Sequence, residues 1–370
     1  MKKSKTKKKS NVEIVQDTLH KCFGSDVTYL MADVADAADT AVPTLITAFD
    51  YGLLGIGGVP MGHFFEVAGD EKTGKTTLLL HMMASFQARG VIPLVIDPKG
   101  AVSSDVARAK RIGVDPDSCV IIPVVSSEEA TRKVRESLGK IYKEGAKVAL
   151  FWDDLGLTPT DYELSPGKDK KTKKDKAKPG DKAKTIWIFC RTLAGDCYKL
   201  GAPVIVANQL TAVINTGFVP IGSPVEVSSS GGGLRYTSRI RVVLKPGAQI
   251  KDKNGCVVGK FINAKTIANA FFSPFRKVKL ALNFRDGFDS KLSTIQTALD
   301  SAYATKKSGK IQIKGQSELH KIDAVAPRAL YALECRMWPW LTGEYSDPTD
   351  VDDVLDEDEF SEEEFIKGFI

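Results

Sequence analysis

The sequence is poor in the residues that build metal centres and cross-linked frameworks. It has four histidines and six cysteines in 370 residues. The cysteines (Cys22, Cys119, Cys190, Cys197, Cys256 and Cys335) form no C-x-x-C pair, and the histidines complete no metal-ligand spacing. A disulfide scaffold and a zinc module are thereby excluded as organising principles, and reduced thiols in a cytoplasm are expected. No apolar run approaches the length needed to cross a bilayer, and no signal-peptide pattern follows the lysine-rich start, so no membrane partner is expected. What remains is 43% hydrophobic and 26% charged, the balance of a soluble globular chain with one large core and smaller appendages.

Net acidity is confined to one end. The formal charge is +6, yet Glu344 to Ile370 holds twelve acids against Lys367 alone, a local −11 that leaves +17 elsewhere. A basic body with an acidic tail points to a polyanionic partner and a tail that competes with it. The tail also suits docking of a partner through Phe360, Phe365 and Phe369. Six lysines in Met1 to Ser10 read as a disordered arm, either solubilising or drawn weakly to phosphates.

The chain is organised around Gly69-Asp70-Glu71-Lys72-Thr73-Gly74-Lys75-Thr76, which fits G-x-x-x-x-G-K-[ST]. His63 to Ala68 before it reads as a buried strand. Leu78, Leu79, Met82, Met83 and Phe86 after it recur at helical spacing. That order is the context a phosphate loop needs. The glycines let backbone N–H groups face inward, and the helix start adds its positive dipole. These eight residues and Thr77 are the expected ATP contacts, with Lys75 reaching the β- and γ-phosphates and Thr76 holding Mg²⁺.

Strands then alternate with helices. Strands are expected at Val91–Asp97, Ser118–Val124, Lys147–Asp154 and Pro203–Gln209, and helices at Ser103–Ile112, Ser127–Tyr142 and Thr185–Leu200. This predicts an α/β fold with a mostly parallel, doubly wound sheet and ligands beyond the carboxyl ends of its strands. Asp153 follows the apolar run Val148 to Trp152 and is the expected Mg²⁺ carboxylate, Asp154 being the second candidate. Gln209 ends the next strand, as a γ-phosphate sensor or a plain loop hydrogen-bonder. From Ser238 on, strands at Arg239–Leu244, Val257–Lys265 and Arg276–Phe284 extend the sheet in partly antiparallel fashion. A helix over Leu292–Ala304 and a small mixed region follow.

Two long loops leave the carboxyl edge. Gly167 to Lys184 carries nine lysines, among them Lys168, Lys170, Lys171, Lys173 and Lys174. It is a solvated insertion or, as its place at the ATP edge favours, a phosphate-backbone contact. Thr211 to Ser230 is rich in small residues with Phe218 as its only aromatic, suited to sequence-tolerant contacts with bases.

An ordered series of motifs resembles the RecA-type recombinases, with the phage UvsX branch as the nearer relative. It runs from Leu54-Gly55-Ile56-Gly57-Gly58-Val59-Pro60-Met61-Gly62 through the phosphate loop to Ala107–Asp115 and Phe151-Trp152-Asp153-Asp154-Leu155-Gly156. Asn208-Gln209 and Ser229-Ser230-Gly231-Gly232-Gly233-Leu234-Arg235-Tyr236 complete it. The resemblance implies a basic and oligomerising N-terminal arm over 1–41, a RecA-like ATPase core over 42–290, a small C-terminal α+β region over 291–343 and an acidic tail over 344–370. It makes segments 161–184 and 210–230 the DNA-binding loops, with Gly231, Gly232 and Gly233 closing the second. It assigns catalytic roles to Lys75, Asp153 and the γ-phosphate-sensing Gln209, and places Arg235 and Lys265 at a neighbouring subunit's ATP. Implied partners are single-stranded DNA, homologous duplex DNA, further copies in a helical filament and a single-strand-binding or mediator protein at the tail. The implied place is the cytoplasm, a bacterial host's if the chain is phage-encoded.

One position departs from the family. Where a water-activating glutamate is expected, Val95-Ile96-Asp97-Pro98-Lys99-Gly100 offers Lys99. A protonated lysine takes no proton from water. Either Asp97, Asp154 or Glu71 stands in, or hydrolysis is slow, or Lys99 serves phosphate binding. The expected activity is an ATP- and Mg²⁺-dependent recombinase that pairs and exchanges homologous strands. A hydrolysis-deficient DNA filament protein is the second reading, and a ring helicase the third, against which Lys99 speaks.

Overall fold

The computed structural model describes residues 10–23, 31, 36–164, 181–212, 226–228, 232–308, 310–314 and 319–342. Helix α1 (Asn11–Phe23) buries none of its side chains. The sheet begins with β1 (Phe64–Gly69), whose phosphate loop leads into α2 (Lys75–Gln87). Then come β2 (Val91–Ile96), α3 (Val106–Ile112), β3 (Val120–Ile122), α4 (Ser127–Lys143) and β4 (Lys147–Trp152). The short α5 (Asp161–Leu164) and the long α6 (Asp181–Leu200) precede β5 (Val204–Ala212), β6 (Glu226–Ser228) and α7 (Gly232–Thr237). The antiparallel extension is β7 (Ser238–Lys251), β8 (Val257–Asn269), β9 (Lys277–Asn283) and β10 (Gly287–Asp289). After α8 (Ser290–Asp300), a second small sheet of β11 (Ala304–Lys307), β12 (Lys310–Ile313) and β13 (Leu319–His320) leads to α9 (Pro327–Met337).

The main sheet has the order β10-β9-β8-β7-β1-β5-β4-β2-β3, with β6 hairpinned to β5. Strands β7, β1, β5, β4, β2 and β3 are parallel; β8, β9 and β10 run antiparallel. The α/β expectation holds, and so does the antiparallel extension. Alternation along β1 splits the core between two faces. Phe65 and Val67 pack with Leu78, Leu79 and Met82 of α2, while Phe64 joins Trp152, Phe189 and Leu193 beneath α6. Fully buried Phe65, Phe86 and Phe151 contribute about 2–3 kcal/mol each by leaving water.

Boundaries moved where the sequence carried no stop signal. The helix expected through Ala304 ends at Asp300, because the chain turns at Ala302 with φ +60° and Ala304 opens β11. Strand β5 runs past Gln209 to Ala212, since Leu210–Ala212 pair with Glu226–Ser228. Helix α6 starts at Asp181, so the last residues of the lysine-rich segment are helical. Helix α4 opens as expected, the Ser126 hydroxyl accepting from Glu129 N at 3.1 Å.

Helix α9 packs against α8 and the π-helical turn at Ala48–Leu54, with Trp338 covering Gly52. Glu334 is buried there and accepts from the Thr294 hydroxyl at 2.8 Å. Burial pushes its carboxyl up to about 7, and the buried Asp50 is pushed up to about 7 as well. A folded-state pKa above the unfolded one means stability fully present below the unfolded values of 3.8 and 4.5 and lost between there and about 7, by up to about 1.4 kcal/mol per pH unit for each group, with no further loss above that. Thermal melts should therefore fall from about pH 5 to pH 7 and level off by about pH 8, and Glu334→Gln should flatten that slope; an unchanged slope would place the titration elsewhere.

Candidate nucleotide site

Sheet order places the site. With β1, β5, β4 and β2 adjacent, Gly69 at the end of β1, Gln209 opposite it on β5, and Asp153 and Lys99 just beyond β4 and β2 come together. Gly69 is required by close approach, because a Cβ there would lie 2.6 Å from Leu244 O and 2.8 Å from the Thr73 hydroxyl. Gly74 turns the chain into α2 with φ +83°, a conformation that disfavours any side chain. The Thr73 hydroxyl donates to Asp70 O at 2.8 Å and closes the loop on itself.

Lys75 folds back over the loop, its Nζ donating to Gly69 O and Asp70 O at 2.9 Å each. Burial lowers its pKa, and the neighbouring Asp154, Asp153 and Asp70 carboxylates oppose that shift while Lys99 adds to it. Thr76 donates from Oγ1 to Asp153 Oδ2 at 2.6 Å. Asp153 is 2% exposed, and burial raises its pKa. A threonine hydroxyl and a desolvated carboxylate converging at the foot of the loop form a hard-oxygen donor pair that fits Mg²⁺.

The cavity above these residues measures about 580 Å³. Its lining includes Lys72, Lys75, Lys99, Arg108 and Lys260 against only Glu71 and Asp153, so it selects a polyanion. Glu71, Thr73, Gly74, Thr76, Thr77 and Gln209 line it too, as expected. Asp70 instead faces Lys245 of β7, at 3.2 Å.

Sequence reading missed several lining residues. Arg108 donates to the Thr77 hydroxyl at 2.7 Å, and its buried Nε has no hydrogen-bond partner among the described residues. Lys260, Leu282 and Phe284 come from the antiparallel extension, and Leu157 from the turn after Asp154. Strand spacing gives no warning of the first three, because only the sheet order folds β8 and β9 back beside the phosphate loop. Arg108 had a weak signal, lying in the helix already singled out before Gly113-Val114-Asp115.

The substitutes considered for the missing glutamate are mostly engaged. Asp97 accepts from Ala101 N, Val102 N, Ser103 N and Ser103 Oγ at 2.8–3.0 Å. Asp154 is fully buried, accepts from Gly156 N at 2.9 Å and holds Lys99 Nζ at 3.4 Å. Glu71 remains, exposed at the lip of the cavity.

The RecA N-terminal domain matches residues 10–289. The chain belongs to the RecA family. It is 28% identical over 297 residues to Protein RecA of Lactobacillus acidophilus, covering 80% of this chain and 77% of that one. Protein RecA of Chlorobium limicola is 28% identical over 324 residues, 87% of each chain, and that of Helicobacter hepaticus 28% over 285 residues, 77% and 78%. Against this RecA-family frame the remaining expected residues divide. Arg235 is exposed on α7. Lys265 lies 5.6 Å from the Phe275 ring and lines a second concavity of about 640 Å³ with Lys245, Lys277 and Lys279. Neither reaches the nucleotide cavity of its own chain. Gly232 opens α7, and Gly233 is buried where a Cβ would lie 3.0 Å from the Trp187 backbone. Lys168, Lys170, Lys171, Lys173, Lys174, Phe218 and Gly231 lie outside the described residues.

Proposed function

We propose that the protein is an ATP- and Mg²⁺-dependent recombinase that forms filaments on single-stranded DNA and promotes homologous pairing. The observation that carries the reading is the Thr76–Asp153 pair at 2.6 Å beneath a cation-lined cavity on a RecA-family core. In this reading Thr76 and Asp153 hold Mg²⁺, which supplies charge neutralisation of the triphosphate. Lys75 exchanges its two carbonyl partners for phosphate oxygens. Gln209 lines the cavity from within β5, whose last residues enter the 210–230 loop, so in this reading it couples nucleotide to DNA contact. In this reading Arg235 and Lys265, which line no part of their own cavity, serve a neighbour's nucleotide. The lysine-rich segment and Phe218 supply the phosphate-backbone and base contacts. Within the family we assign the chain to the UvsX-like branch, on the motif series that runs from Leu54 to Tyr236. The bacterial cytoplasm is its expected place of action.

A second reading, an ATP-clamped DNA filament with little hydrolysis, is favoured by the Lys99–Asp154 contact in place of a free base. One experiment addresses the shared part of both. Anisotropy of a labelled single-stranded oligonucleotide should show binding tightened at least about fivefold by MgATP, with filaments visible by electron microscopy. Equal affinity with and without nucleotide would sink both readings.

A further inference from the structure

We propose that Glu66 is the positioning residue that carries nucleotide occupancy from the phosphate loop to both roots of the 210–230 segment. The proposal rests on the ATP-binding reading above. Glu66 stands on β1, three residues before Gly69, and is fully buried. One of its oxygens accepts from Asn208 Nδ2 on β5 at 2.9 Å, the other from Arg241 Nε on β7 at 2.5 Å. Strands β5 and β7 flank β1, with Val206 and Arg241 opposite Glu66 in register. One carboxylate therefore clasps three adjacent strands directly beneath the phosphate loop.

Each clasped strand leads to one root. Asn208 Oδ1 accepts from Gln209 N at 2.9 Å, and the strand continues through Leu210–Ala212 into its pairing with Glu226–Ser228. On the other side α7, with Leu234 buried, connects the far end of the segment to β7. A buried carboxylate costs several kcal/mol in lost hydration and is tolerated only while its donors stay in place. A shift of β1's end on anion binding cannot leave Asn208 or Arg241 behind without stranding that charge. The three strands thus move together, and the roots move with them.

The lysine-rich segment is held by a different acid, which supplies a control. Glu128 on α4 accepts from Asp161 N and from the Thr185 hydroxyl at 3.0 Å each, pinning both ends of 161–184. Glu128 lines a separate concavity between α4 and α6.

Hydrogen-exchange mass spectrometry on the full chain, with and without MgATP and without DNA, tests the proposal. In the unaltered protein MgATP should slow exchange at 69–77, and by about fivefold or more also at 204–212 and 232–244. Glu66→Gln should keep the protection of 69–77 within about twofold and lose the ATP-dependent protection at both roots, whereas Glu128→Gln keeps all three. Because Glu66→Gln takes a carboxylate away from the partly buried Arg241 guanidinium, Glu66→Leu with Arg241→Leu removes both charges together, and the same loss is expected. Root protection retained in either folded variant overturns the proposal. So does an unaltered chain whose phosphate loop is protected and whose roots are not. No protection at 69–77 would instead overturn the nucleotide-binding reading, and the proposal with it.

Discussion

Lys99→Glu is expected to raise ATP turnover in the presence of single-stranded DNA by about a hundredfold. Lys99 lines the cavity and is held at 3.4 Å by the buried Asp154, so a fixed positive charge occupies the place of a proton acceptor. Of the other carboxylates, Asp97 is consumed by four donors and Asp154 by Gly156 N and Lys99 itself. A glutamate at 99 would sit beside the Asp154 carboxylate, and a like-charged neighbour raises a carboxyl pKa toward the range where it works as a base at neutral pH. The same repulsion costs stability, so the variant should be compared with Lys99→Gln, which removes the cation and adds no second carboxylate. Phosphate release by the two variants and the unaltered chain is the measurement. A rate unchanged by Lys99→Glu, but lost with Glu71→Gln, would assign the base to the lip of the cavity instead.

Much of this site was legible because its parts are local. Gly69 to Thr77 is one contiguous stretch, and a carboxylate after an apolar run or an amide at a strand end is visible at Asp153 and Gln209 without any fold. Adjacency was not legible. That β1 lies between β5 and β7, and β4 between β5 and β2, is a property of strand order, which hydrophobic alternation does not encode. Lys260 and Phe284 were therefore missed, although each lies on or beside a strand that was expected. Glu66 shows the same limit in another form. In the sequence it is a lone acid in an apolar run, and only the register with Arg241 and the contact with Asn208 give it a purpose. The end of α8 shows a third kind of limit, since nothing in Ser301-Ala302-Tyr303 announces the positive φ at Ala302 that stops the helix.

Lys75→Ala should weaken ATP binding by about 10² or more, since charge-assisted hydrogen bonds to phosphate are worth about 1.5–3 kcal/mol each and this ammonium is poised to make two. Its present partners, Gly69 O and Asp70 O at 2.9 Å, hold it in waiting, so no rotamer search precedes the exchange. Isothermal titration with MgATP reads the loss, and affinity within a few-fold of the unaltered chain would remove Lys75 from the site. Lys75→Arg separates charge from shape. The residue is 9% exposed between two carbonyls, a space that suits a compact ammonium and not a planar guanidinium. Arginine should therefore bind nearly as poorly as alanine. Because burial lowers the lysine's pKa, the unaltered chain should lose affinity on the alkaline side before the ordinary lysine value of 10.5 is reached, as the ammonium gives up its proton and its hold on phosphate together.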